Sequence, residues 1–501
     1  MSAPSARAWR CSVCGYIHRD ADPPDWCPVC GAAAAEFQAY VEQAARSAEA
    51  PRQWRCLNCN YVHAGADPPA ECPVCGAPSD RFAPAAAEAG ISADDTPIRA
   101  IIIGGGIAGV SAAEALRRAA PHAEITLISR EAHLPYYRLN LTRYLAGEIG
   151  SDGLPIHSSD WYADNAIELL RRTEVSAIMP ERRAVALRGA AERAFDKLIL
   201  AAGAHPFIPP LPGVHREGVA SLRNTGDVDR IAEAAHSGSA CVCIGGGLLG
   251  LETAAALARR GAKVTLLEGH GWLMPRQLNR TAGELLAEHV ARAGIELRTC
   301  ARSAGIVGDE RVAGVLLTDD ATVPADMVVI ATGVRPNSYL ARRAGLEVAR
   351  GVIVDDHLVS SHPDILAAGD VAEHRGLLYG NWSASQYQGS IAGMNAVGAG
   401  AEFGGIPRSN TLKVLGVDLL SIGQFEPEDG SFDVVEARRD ATYCRFVFHD
   451  GALVGAVLLG DTSAAGPLKD AVENRTDFSG LLQARPRAED VLQHLSAAPK
   501  R

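Results

Sequence analysis

Eight of the twelve cysteines lie in the first 75 residues, all in Cys-x-x-Cys pairs. Cys11, Cys14, Cys27 and Cys30 recur as Cys56, Cys59, Cys72 and Cys75, each 45 positions on (56 − 11 = 45). Trp9, Arg10, Tyr16, His18, Asp22, Pro23, Pro24, Pro28, Val29, Gly31 and Phe37 repeat at the same offset, so one module is duplicated in tandem. Two such pairs bring four thiolates into a tetrahedral S4 site, a donor set that suits zinc and iron alike. Disulfides explain this pattern poorly in a reducing compartment, and metal explains it better. Gly15, Gly31 and Gly76 follow the second cysteine of a pair, where a positive φ turns backbone N–H groups toward sulfur; Asn60 fills the fourth such place. Modules this small cannot fold on apolar burial alone. Trp9, Tyr16, Trp54 and Tyr61 are the candidates for their small cores. Four thiolates complete the shell, so His18 and His63 read as ordinary surface or core side chains. Cys241 and Cys243 alternate on a predicted strand and read as buried thiols.

A second chemistry begins at residue 98. Residues 100–103 (AIII) read as a buried strand running into Gly104-Gly105-Gly106-Ile107-Ala108-Gly109 and a helix to Ala119. In this G-x-G-x-x-G turn, Gly104 permits the tight bend, Gly106 admits a pyrophosphate to the backbone, and Gly109 lets helix and strand close up. The helix N-terminus favours the phosphate charge. A second copy follows: strand 241–244, turn Gly245-Gly246-Gly247-Leu248-Leu249-Gly250, and a helix over 251–260. The next strand, 264–267, ends at Glu268. A carboxylate there accepts from a ribose 2′-hydroxyl and repels a 2′-phosphate, favouring NADH over NADPH; the alternative is a solvated strand-end acid. Two copies, each between strand and helix, imply two dinucleotides, one retained and one exchanging.

The elements that must position these turns are alternating strands and helices, an α/β arrangement. Residues 198–203 (LILAAG) and 328–333 (VVIATG) each read as a strand ending at a glycine, Gly203 and Gly333, where the chain crosses between domains. Residues 365–370 (ILAAGD) place Asp370 after Gly369, where a carboxylate can bind a polyol hydroxyl. The 501-residue chain is long enough for several domains. Its net charge of −11 argues against nucleic-acid and anionic-membrane partners. The longest apolar runs are strand-length, and residues 1–10 lack the apolar stretch of a signal peptide, so the cytoplasm is the expected location. The Ala-rich stretches 41–51 and 83–97 read as linkers.

The module W-R-C-x-x-C-x-Y-x-H, D-P-P, C-P-V-C-G resembles the rubredoxin module of rubrerythrins, over residues 9–40 and 54–83. That family holds one iron on four thiolates and passes single electrons. Residues 98 to about 490 resemble the FAD-dependent pyridine-nucleotide oxidoreductases, through the two turns, PYYR at 135–138, LAGE at 145–148, MPRQL at 274–278, VRPN at 334–337 and NTLKVLG at 410–416. The nearest branch is NADH:rubredoxin reductases, ferredoxin reductases and the flavin part of the NADH nitrite reductase large subunit. The resemblance implies a glutathione-reductase-like two-dinucleotide-binding fold with a C-terminal α+β interface domain, preceded by two rubredoxin-like knuckle domains. It implies boundaries of 1–45 and 46–83 for the modules, 84–97 for a linker, 98–215 and 325–400 for the FAD domain, 216–324 for the NAD domain, and 401–501 for the interface domain. By the same likeness Gly104, Gly106, Ala108, Gly109, Glu131, Arg138, Arg143, Gly203, Gly369 and Asp370 serve FAD. Gly245, Gly247, Gly250, Glu252, Glu268 and Gly333 also line the cofactor sites, with the second turn and Glu268 on NADH.

Disulfide reductases of this fold carry C-x4-C in the segment that here reads LPYYRLNLTR (134–143), and the peroxidase branch carries one cysteine there. This chain has none, which excludes a redox thiol beside the flavin. The family places a lysine where Arg143 stands and pairs it near flavin N5 with the glutamate at Glu252; Arg143–Glu252 is the expected catalytic pair, with a pyrophosphate or surface contact as the other reading of Arg143. Trp382 reads equally as a flavin neighbour or a core tryptophan. The expected activity is reduction of FAD by NADH, transfer to iron in the two modules, and delivery to a further redox protein such as a di-iron or flavo-diiron protein. The rivals are zinc ribbons that dock a separate rubredoxin or ferredoxin, and an NADH oxidase. A homodimer is expected from the interface domain.

Overall fold

The computed structural model describes residues 8–11, 17–19, 22–26, 33–40, 53–56, 62–64, 67–68, 79, 82–85, 97–405, 409–427 and 429–497. Each N-terminal module is a three-stranded antiparallel sheet. In the first, Ala8–Cys11 lies between Ile17–Arg19 and Phe37–Tyr40; in the second, Gln53–Cys56 lies between Val62–Ala64 and Phe82–Ala85. The 45-residue offset survives in the register: Trp9↔His18 and Cys11↔Phe37 become Trp54↔His63 and Cys56↔Phe82. Phe37 is buried, and Trp9, Trp54 and His18 are half-buried. Tyr16, Tyr61, His63's side chain and most of both linkers lie outside the described residues.

The chain divides into two compact units. One comprises Met1–Arg138, Asp152–His205 and Arg335–Gly405; the other comprises Leu139–Ser151, Pro206–Val334 and Ile406–Arg501. The chain crosses between them just after Gly203 and just after Gly333, which have φ of +65° and +106°. These crossings fall at 205/206 and 334/335. Residues 139–151 also join the second unit, because the short helix Leu141–Leu145 packs on the helices Thr225–Ala234 and Leu248–Arg259.

The first unit is built on a five-stranded parallel sheet in the order Ile365–Ala367, Lys197–Leu200, Arg99–Ile103, Glu124–Ile128, Ile167–Leu170. Its central strand is buried from Ala100 to Ile103, as a strand covered on both faces must be. The helices Ile107–Ala119 and Trp382–Asn395 pack closely because Gly389 and Gly393 carry no Cβ. A Cβ there would lie 2.2 Å from Ala108 O and 2.3 Å from Ala112 O.

The second unit repeats the plan. Its parallel sheet runs Val219–Ala220, Met327–Ile330, Ala240–Ile244, Lys263–Leu267, Glu296–Arg298. Cys241 and Cys243 are buried in its central strand, as expected, and burial pushes the Cys241 thiol up to about 11. An antiparallel five-stranded sheet follows, in the order Ser409–Val414, Val417–Gly423, Ala452–Leu459, Thr442–His449, Phe432–Arg439. Its core joins Phe446, Phe448 and Leu458 to Leu468, Phe478 and Val491 of the terminal helices. Asn279 donates to Tyr443 Oη at 2.8 Å and Ser421 Oγ to Gln277 O at 2.5 Å, which fastens this sheet to the segment beside the second glycine turn. No helix of the described residues is long and apolar enough to cross a membrane.

Candidate functional site

The first glycine turn begins where Gly104 N donates to Ile128 O at 2.8 Å. Gly104 has φ +122°, and a Cβ on it would lie 2.1 Å from Ala201 O. A Cβ on Gly109 would lie 1.9 Å from Gly104 O, so helix and turn touch backbone to backbone. Around Gly106 a Cβ would meet nothing within 4 Å. The turn is therefore closed behind and open in front, with Gly106 as the N-cap of a helix that has no side-chain cap. That leaves helix N–H groups for an anion. Ala108 is buried, and its backbone is the surface against which Gly389 packs.

Beside this turn, the strand Ile365–Ala367 ends in Gly369 (φ +81°) and Asp370. Gly369 N donates to Gln388 Oε1 at 2.8 Å, and Ser385 Oγ approaches Asp370 Oδ1 at 3.5 Å. Gln388 is 1% exposed, yet its Nε2 has no partner among the described residues. A buried orphan donor beside an open glycine turn fits a bound polar group. Glu131 accepts from Tyr136 Oη (2.6 Å) and Arg138 Nη2 (2.7 Å). Burial opposes its charge, but Arg138 and the two hydrogen bonds outweigh burial and hold its pKa below the usual range. Arg138 also lies in the field of Asp370. Trp382 stacks on Tyr137, ring centroids 5.4 Å apart.

The strand-end position that faces the first turn is Ser129, which the sequence reading missed. A Cβ on Gly105 would lie 2.9 Å from Ser129 Oγ, as one on Gly246 would lie 2.8 Å from Glu268 Oε2. Glu131 lies two residues further on, held through Arg138 and Tyr136.

The second turn copies the first. Gly245 N donates to Leu267 O at 2.8 Å; Gly245 has φ +114°, with a Cβ 2.5 Å from Ala331 O. A Cβ on Gly250 would lie 1.8 Å from Gly245 O, while Gly247 faces open space. Glu268 is 7% exposed and accepts from Gly246 N (2.8 Å) and His270 N (2.7 Å). The strand-end carboxylate is thus a brace for the turn as well as a charge at its mouth.

Arg143 and Glu252, the expected catalytic residues, each make a defined contact. Arg143 Nε donates to Glu148 at 3.1 Å, and Arg259 bonds the same carboxylate. Glu252 instead takes a hydrogen bond from Thr142 Oγ1 at 3.1 Å. The Arg143 guanidinium thus bonds a carboxylate five residues on along its own segment. Burial pushes Glu252 up to about 7, the Thr142 bond opposing. Cys11 and Cys56 stand at strand ends; Cys14, Cys27, Cys30, Cys59, Cys72 and Cys75 lie outside the described residues.

Two open glycine turns, each capping a parallel sheet, define a protein that binds two dinucleotides. A family model for pyridine nucleotide-disulphide oxidoreductases matches residues 98–389, and the chain belongs to that family. Rubrerythrin rubredoxin-like domains match 9–38 and 54–83, and the rubredoxin NAD+ reductase C-terminal domain matches 409–476. The chain is 35% identical over 382 residues to a nitrite reductase [NAD(P)H] of Bacillus subtilis, covering 76% of this chain and 48% of that protein. It is 30% identical over 381 residues to the NADH-rubredoxin oxidoreductase of Clostridium acetobutylicum, covering 76% of this chain and 96% of that one. The crystal structure of NADH:rubredoxin oxidoreductase from the same organism superposes with a TM-score of 0.66 at 27% identity, over 80% of this chain and 100% of that one. The structure of a covalent putidaredoxin reductase–putidaredoxin complex gives 0.73 at 25% identity, over 80% and 99%. Despite the family's name, residues 134–143 contain no cysteine.

Proposed function

We propose that this chain takes a hydride from NADH, holds FAD as the resident carrier, and passes electrons to iron in its own two rubredoxin-like modules and on to a separate redox protein. The observation that carries this is the combination of two open glycine turns, no thiol in segment 134–143, and a metal module duplicated down to its strand register. FAD accepts two electrons at once and releases them singly, which suits one-electron iron centres. The first turn, Gly203, Gly369 and Asp370 would hold it, with Gln388 and the Glu131–Arg138 pair behind them. The second turn, Gly333 and Glu268 would hold the nicotinamide dinucleotide. Arg143 supplies positive charge from a helix where Glu148 anchors it, and burial lifts Glu252 to about 7, so its carboxyl group gains and loses its proton near neutral pH.

Cys11, Cys14, Cys27 and Cys30 would hold one iron, and Cys56, Cys59, Cys72 and Cys75 the other. The duplication matches the two electrons of a hydride. A di-iron or flavo-diiron protein suits the onward step chemically. The C-terminal sheet supports a homodimer by its likeness to interface domains, and the location proposed is the cytoplasm. Metal analysis and the visible spectrum of the full chain, purified at native expression level, test the reading. Iron at about two per chain with sulfur-to-iron charge-transfer bands supports it. Colourless zinc modules would make them docking ribbons, with the acceptor a separate rubredoxin or ferredoxin.

A further inference from the structure

The backbone of Gly246, inside the second glycine turn, is held from both sides. Its N–H donates to Glu268 Oε2, and its carbonyl accepts from Met274 N at 3.1 Å. Leu273 presses on the same glycine: a Cβ on Gly246 would lie 2.6 Å from Leu273 Cδ2. Met274 is buried and has φ +53°, a left-handed conformation uncommon for any residue but glycine. Such strain persists only where the surroundings over-determine it. After Met274 the chain turns tightly, with Gln277 N and Leu278 N both donating to Met274 O at 2.9 Å. It then enters the helix Arg280–Arg292 at Asn279.

The C-terminal antiparallel sheet grips this segment at two points. Ser421 Oγ donates to Gln277 O, and Asn279 Nδ2 donates to Tyr443 Oη at 2.8 Å. An asparagine at a helix start commonly caps the helix with its side chain; Asn279 makes no such bond, and its amide goes to Tyr443. Ser421 and Tyr443 are both buried. Leu420, Ile422 and Phe446 pack toward the terminal helices, so by alternation Ser421 and Tyr443 face the other way. Tyr443 Oη donates in turn to Glu436 Oε2 at 2.7 Å, an oxygen that Arg445 also bonds. Burial, with Glu436 beside it, pushes the Tyr443 hydroxyl up to about 12, so it keeps its proton for Glu436 and offers a lone pair to Asn279. We propose that Tyr443 and Ser421 are positioning residues for NADH: through residues 274–279 they keep Met274 in its strained conformation, and Met274 keeps Gly246 in the shape that admits the dinucleotide. This rests on the reading of the second turn as the nicotinamide dinucleotide site. Once Tyr443 lets go, Met274 relaxes, its N–H leaves Gly246 O, and Glu268 alone holds the turn.

The test uses the FAD-loaded full chain and reads flavin bleaching by NADH in stopped flow. Tyr443→Phe removes the hydroxyl and keeps the ring. It is expected to raise the NADH concentration for half-maximal rate about tenfold, as loss of one buried hydrogen bond does, while the limiting rate stays within about twofold and FAD is retained. Asn279→Ala should do the same, and the two losses should not add, because both variants break one contact. Leu468→Ala loosens the core on the opposite face of the sheet. It should lower the melting temperature and leave half-saturation by NADH unchanged. Half-saturation of Tyr443→Phe equal to wild type, or a shift in Leu468→Ala as large as in Tyr443→Phe, overturns the proposal. Failure of NADH to bleach the wild-type flavin would overturn the underlying dinucleotide reading, whatever Tyr443 does.

Discussion

Glu268 Oε2 accepts the amide hydrogen of Gly246 at 2.8 Å, joining the acid at the end of one strand to the glycine turn at the end of its neighbour. Through its other oxygen the same carboxylate holds His270 N. Removing it strands two backbone donors, one of them buried, at a cost of about 1–3 kcal/mol for such a group. Glu268→Ala should therefore melt earlier than wild type, besides raising KM for NADH. An unchanged melting temperature would confine Glu268 to nucleotide selection.

The three glycines of the first turn separate into two kinds by their surroundings. Gly109→Ala forces a Cβ to 1.9 Å from Gly104 O and should destabilise the unit by about 3 kcal/mol or more. Gly106→Ala meets no protein atom within 4 Å, so it should fold and instead release FAD more readily. Chemical denaturation and flavin retention on gel filtration distinguish the two. The outcome that would contradict the account is Gly106→Ala losing stability as Gly109→Ala does.

Glu252 gives a pH dependence with a definite sign. Burial lifts its pKa from 4.5 to about 7, so the folded state holds the proton more tightly than the unfolded chain. The stabilisation from protonated Glu252 is complete below about pH 4.5, falls as pH rises, and is gone above about 7. Glu252→Gln keeps the neutral form and should gain on wild type as pH rises from 5 to 8. The full shift would correspond to about 3 kcal/mol, and the partial exposure of this side chain reduces that to about 1–2 kcal/mol. Melting curves of both proteins across this range check it; parallel curves would mean that Glu252 is ionised throughout.

Arg138 balances two acids at once, Glu131 by a 2.7 Å ion pair and Asp370 through space. Arg138→Leu removes the ion pair from Glu131 and should weaken FAD retention about tenfold while costing about 2–3 kcal/mol of stability. Lysine at this position should recover part of the stability and less of the flavin binding, because it lacks the planar fork. Equal recovery of both would make the role one of charge alone.

The features legible from sequence are those fixed by local backbone demands. Gly104, Gly109, Gly245 and Gly250 occupy places where a Cβ collides with a neighbouring carbonyl, and spacing alone locates such places. Cys241 and Cys243 were legible as buried because a strand covered on both faces has no polar side. What sequence could not supply are partners chosen in three dimensions. Ser129 faces the first turn only because two parallel strands end level. Gln388 reaches Gly369 from a helix 19 residues on. The contacts of Arg143 with Glu148 and of Thr142 with Glu252 are likewise set by how the chain packs and not by spacing.

Anaerobic titration of the iron-loaded, FAD-loaded chain with NADH tests the central claim most directly. One flavin and two one-electron irons take up about two equivalents of NADH. The account predicts that the iron charge-transfer bands bleach together with the flavin, and that both are complete at that stoichiometry. Flavin that bleaches at about one equivalent while the iron bands persist would contradict it.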